Sequence, residues 1–207
     1  MAEDAILIDS SATARGKKQL RTALRAQRLA LPPAERMSAA EAVSSHVRHH
    51  ASFAGPGYVA GYWAMAGEVP LHVLQMRLRA DQVWCLPCIQ ADNSLRFAPW
   101  RLGDQLVSNR YGIPEPTLAL ESQLLPEAMT VILLPLLGFS RSGDRLGMGG
   151  GYYDRSLAFR QARPSPPMLI GVGYAFQELP ALQSEAWDVR LDAVVTEREF
   201  LLCAPAG

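Results

Sequence analysis

The chain has 207 residues, 49% apolar and 19% charged, which suits a folded α/β unit with a substantial core and excludes a disordered polymer. Its 20 Lys and Arg balance its 20 Asp and Glu, so no global charge draws it to nucleic acid, a membrane surface or a bulk polyanion. No apolar run reaches the length of a membrane span, and residues 1–18 lack the basic-then-apolar order of a signal peptide; a cytoplasmic protein is expected.

A polar lead-in over residues 1–13 precedes a helix predicted from 14 to 31. Leu20, Leu24 and Leu31 fall on one stripe of it, surrounded by Arg15, Lys17, Lys18, Arg21, Arg25 and Arg28. Pro32 and Pro33 interrupt the pattern, and a second helix through Met37, Ala40, Val43 and Val47 runs to His49 and His50. From Gly57 strands and helices alternate: YVAGYW reads as a strand, LHVLQMRLRA as a helix, VWCLPCI and LRFAPW as strands. Cys85 and Cys88 form a CxxC within VWCLPCI, with no second CxxC or nearby His pair to complete a zinc site. They read as buried structural thiols on opposite faces of a strand. VILLPLLGF, residues 131–139, is a continuous apolar run suited to a central strand buried on both faces, whose carboxyl end feeds a ligand loop. A helix from Gly151 to Arg163, the prolyl loop PSPP, the strand MLIGVGY and a last strand around LDAVVTE complete a series of βαβ units.

The segment SRSGDRLGMGGGYYDR joins the buried run to the next helix, with glycines at 143, 147, 149, 150 and 151. Glycines let backbone N–H groups approach an anion, and the start of a helix adds positive potential. Neither Rossmann nor Walker spacing is present, and a flexible hairpin loop is the plain alternative. Arg145, two residues before Gly147, can fork onto phosphate oxygens, and Asp154 is a hard oxygen ligand for magnesium, which together favour a nucleotide-phosphate site.

LLPLLGFSRSGDRLGMGGGYYDR resembles the signature of the 5-formyltetrahydrofolate cyclo-ligase family. KKQLR at 17–21, Glu68 within MAGEVPLHVL, YGIPEP at 111–116 and LDAVVTE at 191–197 resemble further blocks of that family, so the likeness spans most of the chain from residue 17. It implies one domain over residues 1–207: a three-layer α/β domain with a central mixed or mostly parallel sheet flanked by helices, resembling the NagB/RpiA/CoA-transferase-like fold. The implied reaction is the cyclisation of 5-formyltetrahydrofolate to 5,10-methenyltetrahydrofolate, with ATP as co-substrate, Mg2+, and release of ADP and phosphate.

By the same resemblance Lys17, Lys18, Gln19, Leu20 and Arg21 form an ATP-binding strip in which Lys17 and Arg21 reach the phosphates, while the side chains of Lys18, Arg25 and Arg28 remain solvated. Arg145, Leu146, Gly147, Met148, Gly149, Gly150, Gly151, Tyr152 and Tyr153 hold the triphosphate, with Arg145 and Tyr152 as the catalytic pair. Trp63, Met65 and Glu68 bind the folate with Met148, Gly149, Gly150, Gly151 and Tyr152, and Asp154 and Asp192 hold magnesium. A monomer with neither membrane nor nucleic-acid partner is expected. Two departures stand out: the loop has only glycines at 149–151, where the family often has a basic residue, and Thr130 stands where an acidic residue is frequent. The competing readings are a ligase or kinase with another acceptor, a non-catalytic nucleotide- or folate-binding regulator, and an RNA-binding arm on the basic helix.

Overall fold

Helix α1 (Ala14–Ala30) opens the chain in a computed structural model that describes residues 14–163 and 165–204, with side chains from residue 16 onward. The lead-in therefore lies outside the described residues, as does Pro164 of the prolyl loop. Helix α2 (Pro33–His49) begins on a proline whose fixed φ suits a first helical position. It turns Ala39, Ala40, Val43, Ser44 and Val47 inward.

Strand β1 (Gly57–Ala60) leads to a four-residue helix α3 (His72–Gln75), then to β2 (Gln82–Ile89) and β3 (Leu95–Pro99). The predicted helix over LHVLQMRLRA is thus cut to four residues. Leu71, Val73 and Leu74 enter the core, and the chain then turns, with the Arg79 N–H donating to Gln82 Oε1, to start β2. A small hairpin of β4 (Leu106–Ser108) and β5 (Pro114–Pro116) follows. Strand β6 (Met129–Pro135) ends short of the predicted 139, and Gly138–Phe139 becomes β7, paired antiparallel with β8 (Arg145–Leu146). The chain leaves the sheet there because side chains take the carbonyls that a neighbouring strand would need. Gln177 Nε2 donates to Leu136 O and Leu137 O at 3.0 and 2.8 Å.

Helix α4 (Tyr152–Leu157) is six residues long and continues as a 3-10 turn to Gln161, shorter than the predicted span to Arg163. Strands β9 (Met168–Val172), β10 (Ala193–Val195) and β11 (Phe200–Leu202) complete the chain. The seven-stranded sheet has the order β11-β10-β9-β6-β1-β2-β3, parallel from β10 through β2 and antiparallel at both edges. Alternate residues of β6 serve two cores. Val131 and Leu133 pack with α2 on one face, and Ile132 and Leu134 pack with Leu157 and Phe139 on the other. The fold is the expected single three-layer α/β domain with a mixed, mostly parallel sheet.

From β1 the chain winds outward to β2 and β3, then returns to β6 on the opposite side of β1. The segments leaving the carboxyl ends of β1 and β6 therefore diverge, and in open α/β sheets that is where ligands bind. Gly61, the first residue past β1, sits against a core indole, where an added Cβ would lie 2.1 Å from the nearest Trp84 ring atom. Gly61→Ala is expected to lower the unfolding free energy by about 1–3 kcal/mol through overpacking, which a urea titration reads directly.

Candidate active site

Helix α1 lies across the divergence of β1 and β6, contacting both lips. On one lip is the glycine loop. Arg21 Nε donates to Gly147 O at 2.9 Å, and one turn earlier Lys17 Nζ stands 3.0 Å from Glu185 Oε1. Of the basic strip, Arg21 thus meets the loop and Lys17 meets Glu185, while Lys18 and Gln19 are exposed and Leu20 is half-buried. Gly149 and Gly151 hold φ of +96° and +66°, left-handed values that favour glycine. Among the described residues the N–H groups from Met148 to Gly151 donate no hydrogen bond within the protein, so four consecutive donors are available to a ligand. This row of donors, and not a helix dipole, is what the loop offers an anion, since α4 is too short to carry much of one.

Arg145 is not the free fork predicted from sequence. Its side chain is only 6% exposed, and its guanidinium donates to Val189 O and to Asp154 Oδ1. Asp154 Oδ1 also accepts from the Val189 N–H at 3.2 Å. The two residues singled out for phosphate and magnesium are therefore each other's partners, fixing the glycine loop to the segment before β10. Asp192, the other expected metal ligand, is held separately at the amino end of β10: both its oxygens accept from Arg160 Nη2, at 2.7 and 2.6 Å, and Oδ2 accepts from the Leu169 N–H. Among the described residues no three His, Cys, Asp or Glu side chains gather as a metal cluster.

The other lip follows β1. Glu68 is 12% exposed on its side chain; its Oε2 accepts from the Met65 N–H at 2.9 Å, and Oε1 stands 3.6 Å from Arg28 Nη1. Burial raises the Glu68 pKa above the ordinary carboxylate value, opposed by the Met65 hydrogen bond and the Arg28 charge. Arg28 itself corrects the expectation of a solvated side chain. It is 1% exposed, with Nε donating to Ala66 O and Nη1 to Leu136 O at 3.0 and 3.2 Å. Charge reversal there would bury a carboxylate, so the RNA-arm reading loses one of its surface residues. Trp63 and Met65, 36% and 37% exposed, form an apolar mouth beside Glu68, and Trp63 meets Trp100 edge-on at 5.9 Å. Tyr153 stands near Glu68, and burial drives its phenol pKa well above the ordinary value.

Tyr152 joins two residues that sequence reasoning left unassigned. Arg110 Nη2 donates to the Tyr152 hydroxyl at 3.0 Å, and Tyr111 shares a short hydrogen bond with the same hydroxyl. The Tyr111 hydrogen bond and then the Arg110 guanidinium lower the Tyr152 pKa. Both partners come from the turn of the β4–β5 hairpin, which holds the YGIPEP block and whose position over the loop no local pattern reveals.

The family model for 5-formyltetrahydrofolate cyclo-ligases matches residues 13–197. The chain is 31% identical over 176 residues to the 5-formyltetrahydrofolate cyclo-ligase of Escherichia coli, covering 84% of this chain and 96% of that protein. It is 31% identical over 196 residues to that of Mycolicibacterium smegmatis, covering 91% and 97%. The solved structure of Aquifex aeolicus 5,10-methenyltetrahydrofolate synthetase superposes with a TM-score of 0.78 at 29% identity, covering 92% of this chain and 94% of that one. The protein belongs to the 5-formyltetrahydrofolate cyclo-ligase family.

Proposed function

We propose that this enzyme closes 5-formyltetrahydrofolate to 5,10-methenyltetrahydrofolate with ATP, releasing ADP and phosphate. The supporting observation is one crevice with two unlike lips: cations and unpaired N–H donors on the glycine-loop side, a buried carboxylate with an apolar mouth on the other.

The formyl oxygen of the substrate is amide-like and a poor leaving group. Transfer of the γ-phosphoryl group to it makes that oxygen part of a phosphate. The second nitrogen then attacks the same carbon and gives up its proton to solvent, and the C–O bond breaks as phosphate departs with the electron pair. Positioning and neutralisation are the protein's share of such chemistry. Lys17 and Arg21 meet the phosphates, Lys17 by exchanging the exposed Glu185, and the N–H row from Met148 to Gly151 meets charge developing on the transferred group. Oε1 of Glu68, which accepts no hydrogen bond among the described residues, is left to accept from the pterin, with Trp63 and Met65 over its ring. Arg110 and Tyr111 hold Tyr152 at the rim.

Magnesium, bound with ATP, would neutralise phosphate charge, and one carboxylate plus phosphates is a usual set of ligands for it. The second oxygen of Asp154 fits that part. Asp192 would first have to release Arg160. The three cysteines are free thiols, which fits a reducing compartment such as the cytoplasm.

The test is absorbance growth of 5,10-methenyltetrahydrofolate when the purified protein meets 5-formyltetrahydrofolate, ATP and magnesium, with each omitted in turn. Growth is expected only in the complete mixture. ATP hydrolysis without growth would point to another acceptor, and neither growth nor ATP binding would favour the regulator.

A further inference from the structure

Arg28 is an expensive residue to keep where it is. A guanidinium at 1% exposure loses its hydration, and burial lowers its pKa despite the neighbouring carboxylate. Its hydrogen bonds go to carbonyls on both sides of the crevice: Ala66 in the segment after β1, and Leu136 just past β6. Its Nη2 is buried with no hydrogen-bond partner, so the site is not optimised as a structural clamp alone. Beneath it Ala66 and Gly67 take φ of +48° and +79°, and a Cβ on Gly67 would come within 2.8 Å of Arg28 O. The loop that carries Glu68 is thus wound tightly against this one helical residue.

We infer that Arg28 is a positioning residue for folate recognition: it holds Glu68 as an anion and fixes the loop that presents it, while taking no part in ATP binding. The inference rests on the assignment of Glu68 to the folate site. The groups facing Glu68 from every packed element are Arg28 on α1, Tyr62 after β1, Tyr153 on α4 and Tyr174 after β9. The three phenols are neutral near pH 7, since burial raises the pKa of each. Arg28 is therefore the sole cation among them. Tyr62 donates to Val69 O and Tyr174 to Gly67 O, so both are occupied with backbone on either side of the carboxylate. Without Arg28, a desolvated Glu68 takes up a proton at higher pH, and a protonated carboxyl is a weaker acceptor for pterin N–H groups.

The experiment is equilibrium binding of 5-formyltetrahydrofolate and, separately, of ATP, followed by tryptophan fluorescence from pH 4.5 to 8 for the wild type, Arg28→Met, Arg28→Lys and Glu68→Gln. For Arg28→Met the folate Kd should rise about tenfold or more at pH 7, and the acid-side loss of folate binding should move upward by about one pH unit or more. Its ATP Kd should stay within about threefold, because Arg21, not Arg28, meets the glycine loop. Arg28→Lys keeps the charge but not the fork, so the acid limb should stay within about half a unit while folate binding weakens only severalfold. That variant also carries the test if Arg28→Met does not fold.

Parallel weakening of folate and ATP binding, or an unmoved acid limb in Arg28→Met, would make Arg28 a scaffold residue only and overturn the inference. Glu68→Gln separates this from failure of the site assignment. If it binds folate as the wild type does, Glu68 does not read the folate and both fall. If it binds weakly while Arg28→Met is unchanged, the inference alone falls.

Discussion

Arg145→Ala is expected to reduce turnover by at least about 100-fold and the unfolding free energy by about 2–3 kcal/mol. Both losses follow from the same geometry. Removing the guanidinium leaves Val189 O without its donor and Asp154 without its counter-charge, in a place where the arginine side chain is 6% exposed. The stability figure lies below that for a fully buried pair because Asp154 is itself 26% exposed. Activity falls further than stability because Asp154 and the glycine loop are then free to drift, and phosphoryl transfer depends on alignment. Lysine should rescue little, since one ammonium on a flexible stem cannot reproduce the two-armed contact. Turnover in the absorbance assay and the urea midpoint check the two halves separately. Near-normal turnover would remove Arg145 from the active site. Lost turnover with unchanged stability would mean that the pair with Asp154 adds little to the fold and that Arg145 acts in the reaction alone.

The second large effect belongs to Arg21. Its Nε is used on Gly147 O, and the guanidinium lies beside the loop, where a Cβ added at Gly149 would stand 3.7 Å from the guanidinium carbon. Charge-assisted contacts to phosphate contribute about 1.5–3 kcal/mol each, so Arg21→Ala should raise the ATP KM about 10- to 100-fold. The folate KM should change less than about threefold, since the carboxylate lip is held by Arg28, two turns further along the helix. Steady-state kinetics with each substrate varied in turn decide the matter. A rise in the folate KM of similar size would show that the two lips of the crevice are not independent.

Much of this was readable in the sequence, and the exceptions have common causes. The apolar run through Val131 to Leu134 announced a strand buried on both faces, and the observed alternation of Val131 and Leu133 with Ile132 and Leu134 between two cores is its physical content. Strands β4, β5, β7, β8 and β11 are two or three residues long, too short for any periodicity to register. Cys85 and Cys88 read correctly as buried strand thiols, with burial pushing both up to about 12. Arg28 was misread because a helical wheel assigns arginine to the wet face, whereas its partners Ala66 and Leu136 lie 38 and 108 residues away. Arg145 and Asp154 were identified but assigned to separate ligands; their mutual pairing depends on how an irregular loop folds back, which spacing does not encode.

The crevice is closed by bonds that span most of the chain: Arg28 to Leu136 joins residues 108 apart, and Arg21 to Gly147 residues 126 apart. Contacts of such separation form only after intervening segments have condensed, because the loop-closure entropy must first be offset elsewhere. Local pairs such as the β2–β3 hairpin precede them, and the parallel sheet must be assembled before helix α1 has two lips to bridge. Ligand-binding competence therefore requires α1 docked across both lips, and local unfolding at α1 would abolish it while most of the sheet stands.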